Sequence, residues 1–303
     1  MHSRREFLHA MLGASAMAMG CAGQPERKRV IVDAQVHLWK AHSAERPWPT
    51  PGAKPQLPQP FGYDTLFPMM EAAGVDRVVI VPPSWEGNRN DYALEAAAKH
   101  PGRFGVMGRI NVTDPKEGAR FAGWRKQPGM LGLRVTFLGA QKPWLTDGST
   151  DWLWPAAEKA GLPIMFLAVK MEELNRIAAR HPGLTLIIDH MGLASEVIDL
   201  GLKQAILDNT VAMAKYPNVS VKVSSIPAYT NDPYPWAEMT PQLRRVFDAY
   251  GPKRCYWGTD MTNSLSKATY PQRIQHFMDM DFMTADDKDW VMGRALLERL
   301  DWT

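Results

Sequence analysis

Two imidazoles and a carboxylate stand at the ends of three apolar runs in this chain of 303 residues. His37 ends the run that begins at Val30, His190 ends Leu184 to His190, and Asp260 ends Arg254 to Asp260. Such a set has two chemical uses. Its members can act as three ligands to one divalent metal, zinc above all, leaving a fourth position for water. Water bound in that way ionises near neutral pH and becomes a nucleophile. Alternatively, Asp260 removes a proton from an uncoordinated water as a general base. Both routes lead to hydrolysis, and both require the three side chains to meet.

The elements that must bring them together recur along the chain. A helix-like segment, a turn with Gly, Pro or Asn, and an apolar run follow one another seven times after the opening run. The runs are Arg77 to Val81, Phe104 to Ile110, Leu131 to Phe137, Leu162 to Ala168, Leu184 to His190, Val219 to Ser224 and Arg254 to Asp260. Gly supplies the left-handed helix C-cap and Pro stops the helix. Eight parallel strands alternating with helices predict an α/β fold, a single (β/α)8 barrel of the TIM type. The segment Asp286 to Leu300 reads as one closing helix that seals it. Residues 28–303 form this barrel domain.

Barrel enzymes keep their chemistry at the C-terminal ends of the strands. The polar residues there are Gln35, His37, Arg109, Arg134, Asp189, His190, Lys222, Ser224 and Asp260. Asp33, Gln35 and His37 are spaced two apart, which places them on one strand face. By the same alternation Ser220, Lys222 and Ser224 face the barrel interior, and Val219, Val221 and Val223 face the helices. A buried cation needs an anion. For Lys222 and Arg134 that anion is either Asp260 or a substrate carboxylate, and Arg109 can pair in the same way. Gln35, Arg134, Lys222 and Trp85 are the candidate substrate contacts. The Pro-rich stretch from Ala41 to Pro60 reads as a loop over the barrel mouth. His100 and His181 sit in helix-end turns at the opposite face and read as structural.

Composition sets the outer bounds. A formal net charge of +3 gives no patch for nucleic acid, so the expected partner is a small molecule, with pairing of barrel helices into a homo-oligomer open. Residues 1–21 read as an export leader: Ser3-Arg4-Arg5-Glu6-Phe7-Leu8 resembles the twin-arginine consensus, followed by an apolar segment. Cleavage after Ala16-Met17-Ala18, or a lipid anchor on Cys21, would leave the body in the periplasm or tethered to the membrane. Past the leader no apolar run is long enough to span a bilayer. Cys255 falls in a core strand, so a disulfide with Cys21 is not expected.

Four segments together carry a resemblance: Asp33-Ala-Gln-Val-His37-Leu-Trp39, Ile188-Asp189-His190-Met-Gly192, Asn218-Val-Ser-Val-Lys222-Val-Ser224 and Trp257-Gly258-Thr259-Asp260. They resemble the amidohydrolase-2 (amidohydrolase-related) family and, within it, the lactonase branch that includes pyrone-dicarboxylate hydrolase and the aldonolactonases. The resemblance implies a barrel of the amidohydrolase superfamily that hydrolyses C–O or C–N bonds. It implies that Asp260 activates water and that His190 assists at the carbonyl. The sequence departs from the family at Gln35, where the usual His-x-His becomes Gln35-x-His37. Gln is a weak, neutral ligand, and some lactonases of the branch work without metal.

Three readings follow. In the first, the protein opens a lactone or related cyclic ester: Asp260 activates water, with or without zinc, His37 and His190 polarise the carbonyl, and Arg134 or Lys222 anchors an anionic group. In the second, the same barrel is a metal-dependent decarboxylase of aromatic acids. In the third, it is an exported binding protein without catalysis, a reading motivated by Gln35 and opposed by His190 and Asp260.

Overall fold

Each apolar run pairs in parallel with the run before it, in the computed structural model, which describes residues 29–49 and 54–303. The strands are β1 (Val32–Val36), β2 (Arg77–Ile80), β3 (Phe104–Gly108), β4 (Met130–Phe137), β5 (Ile164–Ala168), β6 (Leu186–Ile188), β7 (Val219–Ser224) and β8 (Cys255–Gly258). They lie in sequence order in one sheet. Several end earlier than their apolar runs do, because the polar residues at their C-terminal ends leave the ladder. His190 (φ 51°), Ser225 (φ 62°) and Asp260 (φ 43°) all turn into the left-handed region. Such backbone strain in non-glycine residues clusters at functional sites. The leader, including Arg4, Arg5 and Cys21, lies outside the described residues. Among those described, no helix is long and apolar enough to cross a membrane.

The sheet curls until β8 meets β1. The amide of Asp260 donates to the Gln35 carbonyl at 2.9 Å. Side chains complete the seam. Asp33 accepts from the Thr259 amide (2.8 Å), the Thr259 hydroxyl (2.5 Å), the Tyr270 hydroxyl (2.7 Å) and the Gln35 amide (3.1 Å). Gly258 packs so closely on Ala34 that a Cβ would sit 3.1 Å from its amide nitrogen. The result is a nearly closed eight-stranded barrel of the (β/α)8 type.

Inside the barrel Val32, Ala34, Val79, Val81, Met107, Met165, Ile187 and Tyr256 form a core. The C-terminal segment plugs its lower end with Trp290, Leu296, Leu300 and Trp302. That segment is a helix interrupted by a π turn, Trp290–Arg294, between Ala285–Asp289 and Ala295–Leu300. Within the turn Gly293 lets the helix approach the chain at Val30, where a Cβ would lie 2.4 Å from the carbonyl oxygen. A second core fills the layer between the strands and the helices, including Val36, Val78, Ile80, Leu133, Val135, Val219, Val221 and Val223.

The common face expected for Asp33, Gln35 and His37 is not what forms. The β1–β2 register shifts between Asp33 and Val36. A bulge of this kind inserts a residue and flips the alternation that follows. Val32 and Ala34 point inward below the shift, so Asp33 points outward to Tyr270, on the helix Tyr270–Met278. Above the shift Val36 belongs to the outer core, and Gln35 and His37 turn to the barrel mouth. One strand thus supplies a seam clamp on one face and two site residues on the other.

Candidate active site

At the mouth, β1, β6, β7 and β8 bring Gln35, His37, His190, Lys222 and Asp260 into one buried cluster. His37 Nε2 lies 3.3 Å from Asp260 Oδ1, and His190 Nε2 lies 3.6 Å from Asp260 Oδ2. The Gln35 side-chain nitrogen is 3.3 Å from His37 Nε2 and 3.1 Å from His190 Nε2. Lys222 Nζ donates to Gln35 Oε1 at 2.7 Å and pairs with Asp189 Oδ1 at 2.8 Å.

This network assigns protons. An ammonium is only a donor, so Lys222 fixes Oε1 as the amide end facing it and turns the Gln35 NH2 toward both imidazoles. His37 Nδ1 lies 2.6 Å from the Val81 carbonyl, which only accepts, so Nδ1 carries a proton, and in the uncharged ring the lone pair lies on Nε2. His190 Nδ1 meets the Ser224 hydroxyl at 2.8 Å. Burial pushes His190 down to about 4 against the pull of Asp260 and Asp189, so it is neutral at pH 7. Each Nε2 then accepts one hydrogen of the Gln35 amide.

Asp260 is the opposite case. Burial opposes its ionisation, but the His190 and His37 imidazoles in their charged forms and the Ser225 hydroxyl hold it below the ordinary carboxylate range. Ser225 donates to Oδ2 at 3.0 Å. Oδ1 makes no hydrogen bond, because the His37 nitrogen 3.3 Å away donates only when that ring is protonated. The cluster therefore holds an ionised carboxylate with one oxygen ready to take a proton.

The remaining candidates fall around this centre. Lys222 does not pair with Asp260, as one sequence expectation had it: its direct anionic partner is Asp189, which also accepts from Arg134 Nε at 3.1 Å. The reason is register: Val221 pairs with Ile188, which sets Lys222 level with Asp189, whereas its partner on β8 is Tyr256, four residues before Asp260; Arg134 reaches Asp189 from β4, across β5. Arg109, at the end of β3, donates through Nε to the Pro82 carbonyl. Trp85 packs its ring 6.2 Å from His37 and 5.2 Å from Trp39. The loop after β1 reaches the mouth, where Trp48 lies 6.5 Å from Trp85 and Gln56 accepts from Thr262, two residues past Asp260. His100 stacks on Phe67 and His181 pairs with Glu158 at 2.9 Å, both away from the cluster. Cys255 is buried and free in β8.

Sequence reasoning gave no role to Ser225, nor to the Asp33–Thr259–Tyr270 seam that sets the backbone next to Asp260. Alternation could not reveal Ser225, because it lies beyond the strand, where the chain turns left-handed. Asp33 stood in plain view, but the bulge gave it a different face.

Residues 32–295 match the family model described as Amidohydrolase (Amidohydro_2). The chain belongs to the amidohydrolase family. It is a family hydrolase, similar over 234 residues to the L-fucono-1,5-lactonase of Burkholderia ambifaria, at 26% identity with 76% of this chain and 79% of that one covered. It is also 26% identical to the 4-sulfomuconolactone hydrolase of Hydrogenophaga intermedia, over 67% of this chain and 65% of that one. An amidohydrolase from Burkholderia multivorans, solved with bound HEPES, shares the fold at a TM-score of 0.73 and 20% identity, covering 90% of this chain and 99% of the other. The same protein has been solved with bound zinc.

That zinc makes the donor set here worth testing. His37 and His190 both face Asp260, but the group that lies against both imidazoles is an N–H donor, the Gln35 amide. Turning the amide to offer its oxygen would set its NH2 against the Lys222 ammonium, 2.7 Å from the atom now there. Two donors cannot share that contact. Among the described residues no group of three or more His, Cys, Asp or Glu side chains is disposed to hold a metal ion. The donors as arranged do not fit a cation.

Proposed function

We propose that this protein hydrolyses a lactone by direct attack of water, with Asp260 as general base and no metal. The observation that carries the reading is Asp260 Oδ1, an ionised and buried carboxylate oxygen without a hydrogen-bond donor. The curated relatives named above support the substrate class, since both are lactone hydrolases by name. They weigh against the decarboxylase reading. A carboxylate poised to take a proton weighs against a barrel without catalysis.

Water next to Oδ1 gives a proton to Asp260 as its oxygen bonds to the lactone carbonyl carbon. Negative charge then develops on the carbonyl oxygen and needs donors. The Gln35 amide supplies one by giving up its bond to one of the two imidazoles, and Lys222 on its oxygen draws electron density away and strengthens the N–H group that turns. This changes the part expected of the imidazoles. In the tautomers set by the Val81 carbonyl for His37 and by the Gln35 NH2 itself for His190, their Nε2 atoms accept from Gln35 and orient it. Collapse of the tetrahedral intermediate breaks the ring C–O bond, and the leaving alkoxide takes the proton back from Asp260. Atoms balance as one water added per ring opened, and the new carboxylic acid releases a proton to solvent.

The test is proton release, followed at constant pH, from a panel of five- and six-membered lactones. Opening of at least one lactone by the native protein, lost in Asp260→Asn, is the expected result. Turnover of none of them, with release of carbon dioxide from 2-hydroxybenzoate-type acids, would replace this reading with the decarboxylase.

A further inference from the structure

We propose that Ser225 is a positioning residue for the hydrolysis: a left-handed turn swings its hydroxyl into the barrel mouth, where it decides which oxygen of Asp260 takes the proton of water. The inference rests on the reading of Asp260 as general base and names the group that aims it.

Ser225 follows directly on β7. From that strand Lys222 and Ser224 reach Gln35 and His190 at the mouth, while Val219, Val221 and Val223 pack in the layer under the helices. Consecutive side chains of an extended strand point to opposite faces. A strand continued through Ser225 would therefore aim its hydroxyl outward with the valines. Instead the backbone turns left-handed, at φ 62°, and Ile226–Ala228 form a short 3₁₀ helix. Neighbouring serines now serve one site. Ser224 Oγ lies 2.8 Å from His190 Nδ1, and Ser225 Oγ donates to Asp260 Oδ2 at 3.0 Å. Left-handed backbone is unfavourable for a residue with a Cβ, whereas glycine adopts it freely. What serine adds over glycine at this buried corner is the hydroxyl.

Asp260 stands at a corner of the same kind, with φ 43°. Ser224 pairs with Gly258 across β7 and β8, so the two left-handed residues lie just beyond the ends of adjacent strands. With both imidazoles neutral, neither Nε2 donates to the carboxylate. Among the described residues, Ser225 is then the one hydrogen-bond donor to the Asp260 side chain. Asn263 sets the direction of that bond: its side-chain NH2 donates to Ser225 Oγ at 3.5 Å, which leaves the serine hydrogen to Asp260. The bond on Oδ2 fixes the plane of the carboxylate and leaves Oδ1 as the base. Without it the carboxylate turns about its last rotatable bond, and the two oxygens compete for the proton. Catalysis falls about 10²-fold when a reacting group is misplaced by about 1 Å.

Two variants separate the hydroxyl from the strain. Ser225→Gly removes the hydroxyl and suits the corner, whereas Ser225→Ala removes it and keeps the strain. For a lactone opened by the native protein, kcat should fall about ten- to a hundredfold, to the same level in both variants and with KM unchanged. Ser225→Gly should nonetheless melt at the higher temperature of the two. Because Ser225 acts through Asp260, Ser225→Gly should add no further loss to that of Asp260→Asn. Rates that follow the melting temperatures would make Ser225 a structural residue and overturn the proposal. An unchanged kcat in Ser225→Gly, or losses that add in the double variant, would overturn it as well. If Ser225→Ala does not fold, the split between kcat and KM in Ser225→Gly and the double variant decide. Full turnover in Asp260→Asn would instead remove the base itself, and with it the reading on which the proposal stands.

Discussion

Lys222 Nζ sits 2.7 Å from Gln35 Oε1, on a strand 187 residues further along the chain, and this bond decides what the centre of the barrel mouth can hold. It turns an amide NH2 toward two imidazoles where the family's usual histidine would offer a lone pair. A weak ligand alone would only lower metal affinity. A weak ligand pinned with its donor inward opposes the cation.

Removing that pin should be costly. Lys222 is fully buried, and Lys222→Met leaves the Asp189 carboxylate with Arg134 alone and frees the Gln35 amide to turn. Loss of one partner from a buried ion pair costs about 3–5 kcal/mol. Urea denaturation of the variant should show a loss of that order. The double variant with Asp189→Asn should lose less than the two single losses summed, because the groups share one network. A loss for Lys222→Met below about 1 kcal/mol would mean that the ammonium is not set by this network.

Asp260→Asn keeps the size of the side chain and removes the base. General-base catalysis is worth on the order of 10²–10⁴ in rate, so kcat should fall by that factor with the circular dichroism spectrum unchanged. Activity within tenfold of the native protein would assign the proton to another group.

Acid should destabilise the protein in two stages. His190 is pushed down to about 4 by burial, whereas in the unfolded chain it titrates near the ordinary histidine value of about 6.5. Between those values the unfolded state binds the extra proton, so stability falls as pH drops through that window. The difference corresponds to about 3 kcal/mol at 1.36 kcal/mol per pKa unit. His276, buried and also pushed down to about 4, adds to the same window. Below it, Asp260 and Asp189, both held under the usual carboxylate range, are protonated in the unfolded chain first and remove further stability. Thermal melts from pH 7 to 4 should show a falling midpoint with a shallower slope in His190→Gln. An unchanged slope in that variant would contradict the assignment of neutral, buried His190.

The seam between β8 and β1 makes a separate prediction. Tyr270→Phe takes one donor from the buried Asp33 carboxylate and should cost about 1–3 kcal/mol. Asp33 sets the backbone at Thr259, the residue before Asp260, so kcat should fall as well although Tyr270 lies outside the barrel. Calorimetry and steady-state kinetics on the same preparation check both. Full activity in a destabilised Tyr270→Phe would show that the seam bears on the fold and not on the position of Asp260.

The eight strands and the meeting of His37, His190 and Asp260 were legible in the sequence because both depend on local pattern. Apolar runs after Gly or Pro turns mark parallel strands, and polar residues at their ends mark the mouth. Features that depend on register across the sheet were not legible. The bulge in β1 reverses the face of Asp33 relative to Gln35, and no residue type announces it. The choice of Asp189 over Asp260 as partner of Lys222 follows from how β4, β6 and β7 are staggered. The unpartnered nitrogen of Arg109 emerges only after the other two cations have been accounted for. Sequence analysis placed Arg134 and Lys222 ahead of Arg109 as substrate contacts, and nothing in it showed that both are already paired with Asp189.

Metal content measured on protein purified without chelator, together with lactone hydrolysis before and after chelation, tests the central claim most directly. A hydrolase in which Lys222 holds the Gln35 amide inward and Asp260 activates free water should contain less than stoichiometric metal and keep its full rate after chelation. One tightly bound zinc per chain, with activity lost on chelation and restored by adding zinc, would contradict it.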